Sequence, residues 1–247
     1  MVIKWKTNIP KSIYAKLYCD WKRVKREVGI LLEIFRKYNV RRVIEFGCGI
    51  GRHGYLLRKM GFNVLLTDVV DWRYGVSKKL PFIQLDVLNN DVNVTDNFDA
   101  GYGLNFLTLF DDKDMITVLW NLSRIVENGI LVFDYNFTVY KEPVVREVVV
   151  NGEKYYAVLM KQNVKEINGG VVYRYLLKIF DRSGNIVGIE RGEYPIYNRD
   201  KFFEIINNTG LKIIDIVWVS WDPVEYVYKP SSSDSDSVFV VLKNIDL

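Results

Sequence analysis

The residues with the clearest chemical potential lie in Val43-Ile44-Glu45-Phe46-Gly47-Cys48-Gly49-Ile50-Gly51-Arg52-His53. An apolar run ends on an acid and three alternate glycines, then opens into a helical pattern with Tyr55, Leu56 and Met60 on one side and Gly61 as a stop. Such a strand, turn and helix lets backbone approach a ligand with no side chain in the way, and the first N–H groups of the helix add a polar rim. The expected ligand is a nucleotide-like cofactor. Asp68 closes the next apolar run 21 residues after Gly47, where a doubly wound nucleotide-binding fold places the carboxylate that accepts both ribose hydroxyls. The dinucleotide fingerprint G-x-G-x-x-G is not met, because its third small residue is Arg52.

The spacing E-x-G-x-G-x-G resembles motif I of the class I S-adenosylmethionine-dependent methyltransferases. That resemblance implies S-adenosylmethionine as cofactor, held by Glu45, Gly47, Cys48, Gly49 and Gly51 in the turn and by Asp68 and Val69 at the ribose. It also assigns Asp86 and Val87 to the adenine and Leu104 to the rim near the reacting methyl group. The segment Gly103-Leu104-Asn105-Phe106 lacks the Asp/Asn-Pro-Pro-aromatic motif of enzymes that methylate nucleobase amines. Its continuation through Leu107-Thr108-Leu109-Phe110-Asp111 is similar to F-N-S-F-G-Y-F-x-D of a broad small-molecule group. By that similarity Asn105 and Asn136 lie near the acceptor. The N-terminal aromatics Tyr14 and Tyr18, with Trp21, would cover the cofactor, since aromatic faces attract a sulfonium. Tyr194 and Tyr197 would face the acceptor from an insertion.

A general base, if the reaction uses one, is expected from His53, Tyr102, Tyr135 or an insertion tyrosine. His53 is the sole histidine and titrates nearest neutrality, yet its place in the first helical turn favours a packing or capping role. No metal spacing is present, and Cys19 and Cys48 make no disulfide framework.

The elements that must position these groups follow from periodicity. The spacing Leu17, Trp21, Val24, Val28, Leu31, Phe35 predicts one N-terminal helix over about 11–39, its apolar stripe on the sheet and its lysines and arginines in water. Strands are expected at 41–46, 62–68, 82–87, 97–106 and 130–136, with a helix carrying Met115, Val118, Leu119 and Leu122 before the last of these. The stretch 71–81 is too short for a full crossover helix. From about 143 to 195, hairpin signals at Asn151-Gly152, Asn168-Gly169-Gly170 and Ser183-Gly184-Asn185 predict an inserted antiparallel β-meander, roofing the site or serving a dimer. A helix capped by Asn198 and two closing strands complete the chain, and their long connection 221–236, with Tyr226 and Tyr228, is a candidate lid. The fold expected is a single α/β domain with a Rossmann-like seven-stranded sheet, mostly parallel with the last strand antiparallel, and helices on both faces.

At 247 residues, 49% hydrophobic and 26% charged, the chain has ordinary globular composition. It has no apolar run of membrane-spanning length and no secretory h-region at its start, so a cytoplasmic protein without a membrane partner is expected. Residues 1–60 hold 15 Lys and Arg against 4 Asp and Glu, and the rest holds 19 against 26. This basic third is either the solvated face of a helix or a footprint for RNA. The leading expectation is methyl transfer to a small molecule. An RNA methyltransferase and a non-catalytic cofactor-binding protein are the alternatives.

Overall fold

The computed structural model describes residues 6–89, 94, 97–137, 144–222, 225, 227–233 and 235–244. In chain order its elements are β1 (Lys6–Thr7), α1 (Lys11–Leu17), α2 (Trp21–Lys37), β2 (Arg42–Glu45), α3 (Arg52–Lys59), β3 (Asn63–Asp68), β4 (Phe82–Gln84), β5 (Ala100–Gly103), α4 (Asp112–Ile125) and β6 (Ile130–Asn136). They continue with β7 (Val144–Val150), β8 (Glu153–Ile167), β9 (Gly170–Phe180), β10 (Ile186–Tyr197), α5 (Arg199–Asn207), β11 (Lys212–Asp222), β12 (Val227–Pro230) and β13 (Ser237–Lys243). A short 3-10 turn at Gly75–Lys79 stands where no full crossover helix was expected.

The larger sheet has the order β12-β11-β13-β6-β5-β2-β3-β4. Strands β4, β3, β2, β5 and β6 run parallel, and β13 enters antiparallel beside β6. All five parallel strands therefore present their carboxyl ends on one edge, the edge where open α/β sheets bind ligands. The seven expected strands are there with an eighth added. Val227–Pro230, expected within a lid, pairs with Val219–Asp222 as the edge strand β12. Tyr226 of that connection lies outside the described residues, as does Pro143 at the start of the insertion.

Side-chain parity divides the core. On one face Ile44, Phe46, Leu131, Phe133 and Tyr135 pack against Leu119 and Leu122 of α4 and Phe202 and Ile206 of α5. On the other, Val43, Leu66, Ala100, Tyr102 and Val132 meet Val24, Val28, Leu31 and Phe35 of α2. Period-two alternation thus also sends Glu45 and Asp134 toward α2, the origin of the polar cluster described below.

The single N-terminal helix is corrected to two. Asp20 interrupts it and caps α2, its side chain accepting the Lys22 N–H at 2.9 Å. An Asp capping a new helix competes with its own place in a helix interior. Leu17 consequently leaves the sheet stripe and joins Ile9 and Ile13 on a separate core with Val148, Ala157, Leu177 and Ile179. That core belongs to the insertion, an antiparallel sheet of order β1-β10-β9-β8-β7 to which the N-terminal strand adds a fifth member. Positive φ at Asn151, Gly152, Gly169 and Gly184 marks its turns.

Candidate functional site

Glu45, Phe46 and the glycines leave β2 between β3 and β5, at the centre of the carboxyl-end edge. Gly47, Gly49 and Gly51 all have positive φ, of 62°, 51° and 76°. They differ in what lies before them. A Cβ at Gly47 would come 2.5 Å from the Phe106 ring, and one at Gly51 would be 2.9 Å from Ser77 Cβ. A Cβ at Gly49 would meet nothing within 4 Å. Gly47 and Gly51 are small because the turn packs tightly, whereas Gly49 faces open space. Cys48 is buried, with its N–H on the Thr67 carbonyl at 2.9 Å.

Asp68 stands against this opening. Its Oδ2 accepts the Gly49 N–H at 2.8 Å, and the backbone N–H groups of Val70 and Val69 also favour its charge. Burial nevertheless raises its carboxyl above the ordinary value. Val69 beside it is exposed. Asp71 is taken up by Arg73 at 2.8 Å, an ion pair that holds it down to about 2. The Asp68 carbonyl accepts the Leu85 N–H at 2.9 Å, tying the end of β4 to the same edge. Just beyond, Asp86 is exposed and its Oδ1 accepts the N–H of Leu88 at 3.1 Å, while Val87 is buried.

On the opposite side of the turn, Leu104 is half-buried and Asn105 is exposed in a left-handed conformation of φ 52°. The Asn105 N–H donates to Asp134 Oδ1 at 2.6 Å, which pins the bend and seats Phe106 over Gly47. Asn136, at the end of β6, is half-buried beside Ser237 of β13.

Beneath the turn lies a buried polar chain. Arg23 Nε donates to Glu27 Oε1 at 2.7 Å, Glu27 Oε2 lies 2.6 Å from His53 Nε2, and His53 Nδ1 lies 3.7 Å from Glu45 Oε1. Glu45 Oε2 accepts the Gly54 N–H at 3.0 Å, and Tyr102 is its neighbour. Burial pushes the Glu45 carboxyl up to about 7 and Asp134 up to about 6. His53 is raised despite its burial because Glu27 stabilises the imidazolium, and Glu27 is lowered by Arg23 and His53 in turn. His53 is thus placed in a structural chain behind the glycines. Arg23, expected on a solvated face, is a correction: it is buried, and only its i,i+4 spacing to Glu27 signals the pair.

Tyr102 is fully buried, and burial raises its hydroxyl far above the ordinary value. Tyr135 stacks on Phe202 at 4.1 Å, and its hydroxyl accepts the Tyr197 N–H at 2.9 Å. The Tyr197 hydroxyl in turn accepts the Asp112 N–H at 2.8 Å. Tyr135 and Tyr197 are thus engaged in packing and capping, and Tyr102 is buried beneath the glycine turn beside Glu45. Tyr14 and Tyr18 pack tilted to each other at 4.7 Å, and Tyr14 reaches Trp72 at 5.3 Å, so α1 packs on the loop after Asp68. Tyr194 packs edge-on to Tyr173 at 5.6 Å and Tyr175 at 5.7 Å on the inserted sheet. Glu190, absent from the expectations, joins these groups: it accepts Tyr18 Oη–H at 2.6 Å and Tyr175 Oη–H at 2.8 Å. Its only sequence signal is its setting between Gly188 and Gly192 at strand spacing.

Among the described residues no group of His, Cys, Asp and Glu could hold a metal ion, and no helix is long and apolar enough to cross a membrane.

No known family profile and no curated protein matches the sequence. Solved structures do match the fold. An S-adenosylmethionine-dependent methyltransferase from Clostridium acetobutylicum ATCC 824 superposes with a TM-score of 0.69 at 16% identity, over 94% of this chain and 96% of that one. CalS10 from Micromonospora echinaspora, an amino pentose methyltransferase involved in calicheamicin biosynthesis and solved with S-adenosylmethionine bound, gives 0.68 at 13%, over 94% and 96%. The sugar N-methyltransferase KedS8 from Streptoalloteichus sp ATCC 53650 gives 0.66 at 14%, over 93% and 92%. The chain has the α/β fold of S-adenosylmethionine-dependent small-molecule methyltransferases, including a separate antiparallel insertion.

Proposed function

We propose that this protein transfers the methyl group of S-adenosylmethionine to a small-molecule acceptor. The observation that carries the reading is the pairing of an unobstructed Gly49 with an Asp68 carboxylate held by the Gly49 N–H. An added side chain is the usual obstacle to backbone–ligand contact, and here the space it would fill is empty. The residues fit the cofactor. Asp68 supplies the two-acceptor group a ribose requires, and Val69, Asp86 and Val87 border the adenine side. Glu45, Gly47, Cys48 and Gly51 shape the turn, and Leu104 with Asn105 borders the methyl side. Similar folds solved with S-adenosylmethionine bound support the same choice.

S-adenosylmethionine supplies a methyl group already activated on a sulfonium, so an in-line displacement asks the protein mainly for alignment. The chain's task is to hold the acceptor atom about 3 Å from that carbon and to exclude water. Asn105 and Asn136 at the strand ends, Tyr14 on α1 with Tyr18 at its end, and Tyr194 on the insertion are the residues assigned to the acceptor side. His53, Tyr102 and Tyr135 are spent on buried contacts, which favours a reaction run by positioning over one run by a dedicated base.

A small acceptor is favoured over RNA by the like folds, which include an amino pentose methyltransferase and a sugar N-methyltransferase, and some of the basic N-terminal third is paired within the chain. Lys16 pairs with Asp20, Lys22 with Glu225, Arg23 with Glu27 and Lys37 with Asp215, and Arg52 is committed to two carbonyls. The test is incubation with methyl-labelled S-adenosylmethionine and, separately, protein-free metabolite and RNA fractions of a cell extract. Label in the metabolite fraction is the expected result. Label confined to RNA, or to neither, rejects the reading.

A further inference from the structure

Asp134 is a carboxylate only 1% exposed, and both of its oxygens are engaged. It lies on β6 two residues before Asn136 at the strand end. Oδ1 accepts the Asn105 N–H at 2.6 Å, and Oδ2 accepts the Tyr228 hydroxyl at 2.8 Å. Tyr228, buried on β12, packs edge-on against Trp221 and Phe239, so the outer strand of the sheet fixes the second bond. From α2, the charges of Glu27 and Arg23 act on the same carboxylate with opposite signs.

The first bond holds an unfavourable piece of backbone. Asn105 has a φ of 52°, a conformation that costs any residue with a side chain. Phe106, next in the chain, fills the space a side chain at Gly47 would need, its ring 2.5 Å from that Cβ position. One buried carboxylate thus links the bend at Asn105 to the packing of the glycine turn. A neutral amide could meet the same two partners, its oxygen accepting the N–H and its NH2 donating to a rotated Tyr228 hydroxyl. The charge itself adds a stronger bond to Asn105, at the cost of keeping a carboxylate in a buried place that pushes it up to about 6.

We infer that Asp134 is a positioning residue for methyl transfer: anchored by Tyr228, its carboxylate holds the Asn105–Phe106 bend in the conformation that aligns the acceptor with the cofactor. The inference rests on the methyl-transfer reading and identifies what fixes the acceptor side of its site. Protonation leaves a neutral, weaker bond to Asn105, so alignment loosens as pH falls through about 6. Removing the Tyr228 hydroxyl takes a donor from the ionised form and should move that loss to higher pH. Glu45, raised to about 7, and His53 titrate in the same range from the chain behind the glycines, and the Tyr228 variant separates their effect from that of Asp134.

The test measures the initial rate of label incorporation from methyl-labelled S-adenosylmethionine into a protein-free metabolite extract between pH 5 and pH 8.5. Calorimetry gives cofactor affinity, and circular dichroism checks folding. Asp134→Ala is expected to lower the rate at pH 8 at least tenfold with cofactor affinity within threefold of wild type. Asp134→Asn should fall at least threefold at pH 8 and match wild type at pH 5, and Tyr228→Phe should shift the acid limb to higher pH. The Asn105 amide resonance should titrate with the midpoint of that limb in wild type and stay fixed in Asp134→Asn. A folded Asp134→Ala whose rate is within twofold of wild type, or whose cofactor affinity falls as far as its rate, overturns the positioning role and leaves methyl transfer intact. An acid limb unmoved in both Tyr228→Phe and Asp134→Asn overturns it as well. No label from the wild type rejects the methyl-transfer reading together with the role.

Discussion

Asp68 and Gly49 define the opening together: the carboxylate is oriented by a backbone N–H of the turn it faces, so changing either alters both. Asp68→Ala should weaken S-adenosylmethionine binding by roughly 1.5–3 kcal/mol, the scale of hydrogen bonds to a charged group. Calorimetry that finds the affinity unchanged would remove the ribose role. The polar chain behind the turn makes a pH prediction. Glu45, raised to about 7, Asp134, raised to about 6, and His53, raised by Glu27, all hold protons in the folded state that they release on unfolding. Their contribution to stability is therefore present at low pH and lost as pH rises through these values. Glu27 is lowered and acts oppositely, below its ordinary range. Urea midpoints of the ligand-free protein should accordingly be higher at pH 5.5 than at pH 8, and Glu45→Gln should flatten the difference; an equal slope in both proteins would contradict it. The turn and Asp68 were legible as residue types at fixed spacing. Arg23 and Glu190 were not, because a charged residue reads as solvated until tertiary packing shows what buries it.

The elements show where periodicity suffices and where it is overridden. The parallel strands, the hairpin turns with their Asn-Gly pairs and the Asn198 cap follow from local pattern, and Asn198 does accept the Lys201 N–H at 2.9 Å. The split between α1 and α2 was hidden because the stripe from Leu17 to Phe35 stays in helical phase across Asp20, while the partners of Leu17 are more than a hundred residues away. Strand β12 was missed because its four residues reside in a polar connection whose pairing is set by β11. Once α1 is separate, something must hold it. Arg52, in the first turn after the glycines, donates to the carbonyls of Ala15 at 2.8 Å and Cys19 at 2.6 Å and stacks over Trp21. Arg52→Ala should therefore raise hydrogen exchange of the α1 amides at least tenfold while those of α2 stay protected. Equal protection of α1 in variant and wild type would show that the insertion core alone retains it.

For the molecule as a whole, the insertion and the Rossmann-like sheet meet around α1, where Tyr18 at its end donates to Glu190 and Tyr14 packs on Trp72 of the loop after Asp68. Under the proposed function one region serves the cofactor and another the acceptor, a division that fold alone does not convert into a reaction. Everything proposed for the acceptor depends on the cofactor occupying the mouth at Gly49. A calorimetric titration of S-adenosylmethionine into the wild type and Gly49→Val tests this most directly, with circular dichroism to check that the variant folds. Valine fills the open space and meets a positive φ that costs it about 1–2 kcal/mol. Saturable binding by the wild type and none by the folded variant is the expected result. Binding of equal affinity by both, or no binding by the wild type, would contradict it.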